Sequence, residues 1–184
     1  MGAKCAPSIA NIYIAILEKN FLVIHKPLFY RRFIDDIFII LSELFNINIL
    51  VISFEDLKLN VVTNDSVIFL DLCINLDAIT GKLIFSLYTK PTNTFAYLLY
   101  GSNHPDFIFR NIPKSLFIRL RRICSIYSDF LFYARRLINQ LIARGYNKNV
   151  VIKTSILISN IDRLDLLEYK QKSDFFGKNN CIFF

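Results

Sequence analysis

Two adjacent aspartates, Asp35 and Asp36, stand between apolar runs, Phe33-Ile34 before them and Ile37-Phe38-Ile39-Ile40 after them. Successive strand residues point to opposite faces, so only a turn lets both carboxylates serve one site. The sequence therefore predicts a tight hairpin with FYRRF and IFIIL as its arms. Two carboxylates so close repel each other and call for a cation. Mg²⁺ takes oxygen ligands and shares them with substrate phosphates, which makes phosphoryl transfer one reading of the pair. A plain solvated turn, where aspartate is common, is the other.

The rest of the chain must supply a core and a partner. Its 184 residues are 54% hydrophobic and 20% charged, which excludes disorder as the main state. A formal net charge of +7 favours polyanionic partners. That charge is unevenly placed. Residues 1–102 hold 8 basic and 9 acidic side chains, while residues 103–184 hold 14 and 6. The expectation is an acidic-site half, 1–102, and a polyanion-gripping half, 103–184, joined through the loop-like TKPTNTFAYLLYGSNHPD.

Four cysteines, Cys5, Cys73, Cys124 and Cys181, lie far apart and form no C-x-x-C, so they read as reduced thiols rather than zinc ligands. Residues 37–54 imitate a membrane span, but Ser42, Glu43, Asn46 and Asn48 interrupt them, and no span is expected.

The fold class expected is α+β. A helix opens near Pro7-Ser8 and runs to about Lys19. VIFLDLCINL and KLIFSLYTK form a second hairpin through Asp77, Thr80 and Gly81. SLFIRLRRICSIYSDFLFYARRLINQLIARGY reads as helical, with Gly145 as a stop. VVIKTSILISNIDRLDLLEYKQK predicts one or two more helices. Arg119 and Arg122, three apart on a helix, share a face and can reach successive phosphates. Arg121, Arg135-Arg136 and Arg144 extend that basic pattern.

The run RRFIDDIFII resembles the Asp-Asp palm motif of reverse transcriptases. MGAKCAPSIANIYI before it, and FLDLCINL, LYTKPTNTFAYL, SNHPDFIFRNIPKSLFIRLRRICS and LIARGY after it, occur in the order seen in Penelope-like retroelements. The resemblance covers roughly residues 1–172. It implies a partial polymerase palm followed by an all-helical thumb. Asp35 and Asp36 would be catalytic and bind Mg²⁺. Gly2 and Pro7 would wall the template and incoming nucleotide. Phe69, Leu70 and Asp71 would lie in the strand pair near the primer end. Tyr88, Thr89, Lys90, Pro91 and Thr92 would mark the passage to the thumb. Lys90, Arg119, Arg121, Arg122, Arg135 and Arg136 would contact nucleic acid.

The partners implied are an RNA template and a DNA primer, with no small-molecule cofactor, in an intracellular (nuclear or cytoplasmic) setting. The chain starts inside the family's helix motif, so it is expected to be a truncated RNA-directed DNA polymerase. It would lack the fingers and the first palm aspartate, and would be inactive alone. The stretch HPDFIFRNIPKSLFIRLRRICSIYSDF also resembles the region catalogued as helix-turn-helix in animal members of that group. The competing expectation is thus a non-catalytic nucleic-acid-binding module.

Overall fold

The computed structural model describes residues 4–42, 46, 48–49, 54 and 57–168. Its architecture is α+β, as the sequence predicts. In chain order the described elements are α1 (Ala6–His25), β1 (Phe29–Phe33), β2 (Asp36–Ile40), β3 (Ser66–Phe69), β4 (Leu72–Leu76), β5 (Leu83–Leu87), α2 (Asp106–Ile123), α3 (Tyr127–Ala143), α4 (Lys148–Ser159) and α5 (Arg163–Leu167). The strands make antiparallel sheets in the orders β1-β2 and β3-β4-β5. The chain divides into two compact units, residues 1–71 and 72–184. This packing division falls upstream of the charge division near residue 102.

In the first unit, α1 begins with proline in its first turn, where a missing N–H costs nothing. The helix runs six residues beyond the expected Lys19 and ends on Lys26 in the left-handed conformation, φ 43°. Phe21 is its one buried residue and meets Phe54 at 5.8 Å between ring centroids. Leu17, Tyr30, Ile39 and Leu59 pack around them. Among the described residues, α1 is also the one helix long and apolar enough to cross a membrane. The stretch 37–54 starts as strand β2, and most of the remainder lies outside the described residues.

The β1–β2 hairpin pairs Phe29 with Ile40 and Phe33 with Asp36, leaving Ile34-Asp35 as a two-residue turn. Ile34 sits at φ 56°, a position costly for a β-branched side chain.

VIFLDLCINL proves to be two strands rather than one. A second two-residue turn, Leu70-Asp71, breaks it into β3 and β4, with Leu70 at φ 56°. Phe69 ends β3, but Leu70 and Asp71 form the turn instead of lying on a strand. The hairpin through Asp77, Thr80 and Gly81 is present as β4–β5, with Leu76 opposite Leu83. The Asp77 carboxylate accepts from the Thr80 hydroxyl and the Ile79 N–H, which holds its pKa below the usual range. Gly81 takes φ 66° to close the loop.

The second unit owes its core to the helices. Phe109, Phe117 and Leu120 of α2, Phe130, Ala134, Leu137 and Leu141 of α3, and Val151 and Ile158 of α4 are buried together. Their spacings of three, four, seven and eight put each set on one helix face. Helix α2 packs on α3, α4 and α5, and β5 packs on α2 and α3.

The long helical stretch is interrupted at Cys124-Ser125-Ile126. The Ser125 hydroxyl accepts from the Phe85 N–H at 3.0 Å, and the Ser125 N–H donates to the Phe85 carbonyl at 2.8 Å. The Ser125 N–H is thus bonded to strand β5 and not to the helix before it.

Candidate nucleic-acid interface

Three helices joined by two short turns carry a strong excess of positive over negative charge. Residues 103–153 hold ten Lys or Arg and two acidic side chains. The second turn, Arg144-Gly145-Tyr146-Asn147, follows from local chemistry. Helix α3 ends at Ala143, and Gly145 adopts φ 86°, the left-handed state that glycine enters without steric cost. The buried Tyr146 ring then anchors the turn against Tyr100 at 5.4 Å and Phe109 at 6.5 Å. The Asn147 side chain caps α4, accepting from the N–H groups of Asn149 at 2.9 Å and Val150 at 3.3 Å.

Helix α4 buries Val151, Ser155 and Ile158, which leaves Lys148, Asn149 and Lys153 exposed. A four-residue turn with glycine between two packed helices is a feature of the helix-turn-helix arrangement, in which α4 would take second place. These three residues were not candidates on sequence grounds. The Gly145–Asn147 punctuation ahead of them was the available signal.

The expected contact residues fall into different settings. Arg119 on α2 and Arg136 on α3 line one cavity together with Thr89, Phe95, Tyr97, Tyr133 and Gln140, over leucines 87, 116, 120 and 137. Lys90 lines the adjoining hollow, again with Arg136. The structure thus brings Lys90, Arg119 and Arg136 to one region. Burial raises the pKa values of Tyr97 and Tyr133, so both phenols face the cavity uncharged.

Arg121 is placed otherwise. Its guanidinium lies 5.5 Å from the Tyr127 ring and 5.6 Å from the Phe130 ring, and its buried Nε has no hydrogen-bond partner. That is a packing role. Arg122 donates from Nε to the Leu166 carbonyl at 2.6 Å, and Arg163 donates back to the Arg122 carbonyl at 3.0 Å. Arg122 therefore fastens α5 to α2, whereas Arg119 faces the cavity. Arg135 is exposed on α3.

In the first unit, Asp35 occupies the hairpin turn and Asp36 is the first residue of β2, both exposed. Arg32 braces this tip. Its Nη1 donates to the Ile34 carbonyl at 2.8 Å and to Asn11 Oδ1 at 3.1 Å, while Nε pairs with Glu18 at 2.5 Å. The Tyr30 hydroxyl donates to the same Glu18 oxygen at 2.7 Å, and burial, with Glu18 beside it, drives its pKa far up. Pro7 is exposed in the first turn of α1. Gly2 lies outside the described residues. Among the described residues, no three His, Cys, Asp or Glu side chains gather to hold a metal.

Residues 96–157 match the family model of the animal helix-turn-helix domain. The match reaches past the expected segment in both directions and takes in α2, α3 and most of α4. This stretch is a helix-turn-helix region. No curated protein and no solved structure matches the chain.

Proposed function

We propose that residues 96–157 form a nucleic-acid-binding module that lays α4 in a duplex groove. The observation that carries this reading is the Arg144–Asn147 turn, which sets exposed Lys148 and Asn149 at the start of α4, with exposed Lys153 about one turn further along. In helix-turn-helix proteins the N-terminal residues of the second helix reach base edges. Asparagine can bind adenine in two places, and lysines bind guanine or phosphate. The excess of ten basic over two acidic residues across 103–153 supplies the sequence-independent attraction. The test is duplex binding by the full chain and by its Lys148→Gln and Lys153→Gln variants. Each variant is expected to weaken binding and to lower the salt slope by about one. Unchanged binding in both would overturn the placement of α4.

A second reading is favoured by the β1–β2 hairpin, whose tip carries Asp35 and Asp36 with Arg32 holding the turn to α1. This arrangement supports a retroelement reverse transcriptase palm, with the helices as its thumb and an RNA template and DNA primer as its partners. The two carboxylates alone do not fit a pair of Mg²⁺ ions, because no third ligand stands with them among the described residues. On this reading the chain needs a further carboxylate strand from elsewhere, and works inside the cell where its template is. The test is primer extension by the chain complemented with a palm segment bearing that carboxylate. Asp35→Asn is expected to abolish extension and keep binding; extension that survives the substitution contradicts the reading.

A further inference from the structure

The cavity between β5, α2 and α3 has a composition that the groove-binding reading leaves unused. Leu120 and Leu137, which line it, are buried and apolar. Half-buried aromatic side chains stand above them, Phe95 and Tyr97 from the segment after β5 and Tyr133 from α3. Exposed Arg119 and Arg136 flank the opening, and Lys90 lines the hollow beside it. Neither lining contains an acidic residue.

An apolar slot walled by rings suits a planar heterocycle, and a cationic rim suits an attached anion. Phe95 is held at this wall against its conformational preference, at φ 50°. The Asn93 side chain fixes it by accepting the Phe95 N–H at 2.9 Å, while the Asn93 N–H donates to the Lys90 carbonyl at 2.9 Å. A non-glycine residue in the left-handed region persists only where its surroundings insist on it.

We infer that this cavity takes one unpaired nucleobase of a single strand, stacked against Phe95, with its phosphate between Arg119 and Arg136. The inference rests on the nucleic-acid-binding reading and adds a single-strand subsite to it. A base within a duplex is stacked on both faces and is not available to such a slot.

Phe95→Gly is the suitable variant, because glycine accepts φ 50° and the ring is lost without backbone strain. The full chain and this variant are titrated with a fluorescent single strand, the same strand with abasic linkers replacing its bases, and a duplex. Circular dichroism confirms that the variant is folded. The expected result is about tenfold weaker binding of the ordinary strand by Phe95→Gly, the loss of one stacked base. Binding of the abasic strand and of the duplex stays within twofold. Equal losses on the ordinary and abasic strands, or no loss on either, would overturn the subsite. Duplex binding that still falls in Lys153→Gln would then show that the groove-binding reading survives. Absence of binding to every probe would end both.

Discussion

The Arg32 guanidinium joins the Ile34 carbonyl to the Glu18 carboxylate. It donates to the first from Nη1 at 2.8 Å and pairs with the second through Nε at 2.5 Å. One side chain thus ties the tip of the β1–β2 hairpin to the middle of α1. Both partners are mostly shielded, with side-chain exposures of 16% and 13%, so solvent screens the pair only partly. Arg32→Gln leaves the Glu18 carboxylate without its cation and frees the strained turn. A loss of about 2 kcal/mol is expected, within the range for hydrogen bonds to charged groups. The chain has 9 tyrosines and no tryptophan, so tyrosine fluorescence during urea unfolding reads the change. A midpoint equal to that of the parent chain contradicts this role for Arg32.

Cys124 predicts an alkaline limit to stability. Its thiol is fully buried between α2 and α3, and burial pushes its pKa up from 9.0 to about 11. Above pH 9 the unfolded chain releases this proton while the folded chain retains it. Unfolded molecules then bind fewer protons, and stability falls as pH rises. The stabilising contribution is complete below pH 9 and is lost progressively up to about pH 11, by at most about 3 kcal/mol. Tyr30, whose pKa is also raised, acts with the same sign above pH 10. Thermal melts from pH 8 to 11 check this, with Cys124→Ala expected to flatten part of the decline.

Gly145 and Asn147 set the start of α4 by different means. Gly145→Ala places a Cβ 3.5 Å from Tyr100 Cβ, an ordinary contact, so its cost is the strain of φ 86°. That is about 1–2 kcal/mol. Asn147→Ala removes the acceptor for two N–H groups and costs about 1 kcal/mol. Urea denaturation measures both. If either substitution is neutral, that residue does not fix the turn.

These residues also show what was legible beforehand. A hairpin at the adjacent carboxylates was readable, but the turn falls at Ile34-Asp35, one residue earlier than the pair suggests, and Asp36 is already paired with Phe33 in β2. Gly145 was readable as a stop for a long apolar-periodic run. The break at Ser125 was not, because its cause is Phe85, forty residues away. The turn at Leu70-Asp71 escaped for a related reason. Leucine at φ 56° contradicts local preference, so a run of apolar residues looked like one strand. On the candidate site, basic residues were visible as charge, but their uses were not. Arg119 and Arg122 looked equivalent by spacing, yet Arg122 spends its Nε on the Leu166 carbonyl and Arg119 lines a cavity. Lys148, Asn149 and Lys153 are silent in the sequence, because an isolated polar residue carries no signal until the turn before it is placed.

The second reading makes its own prediction at the hairpin tip. Asp35 and Asp36 are both exposed. Asp35→Asn should therefore leave the urea midpoint within about 0.5 kcal/mol of the parent, as surface substitutions do. A larger change would mean that the pair serves the fold rather than any chemistry.

Under the proposed function, the helix-turn-helix region grips nucleic acid through its basic surface. The most direct measurement is the affinity of the full chain for a labelled duplex between 50 and 200 mM salt. Log affinity is expected to fall in a straight line with log salt, steeply enough to report several phosphate contacts. A shallower slope is expected for Lys148→Gln and Lys153→Gln. Affinity that does not change with salt, or no binding at 50 mM, would contradict the proposed function.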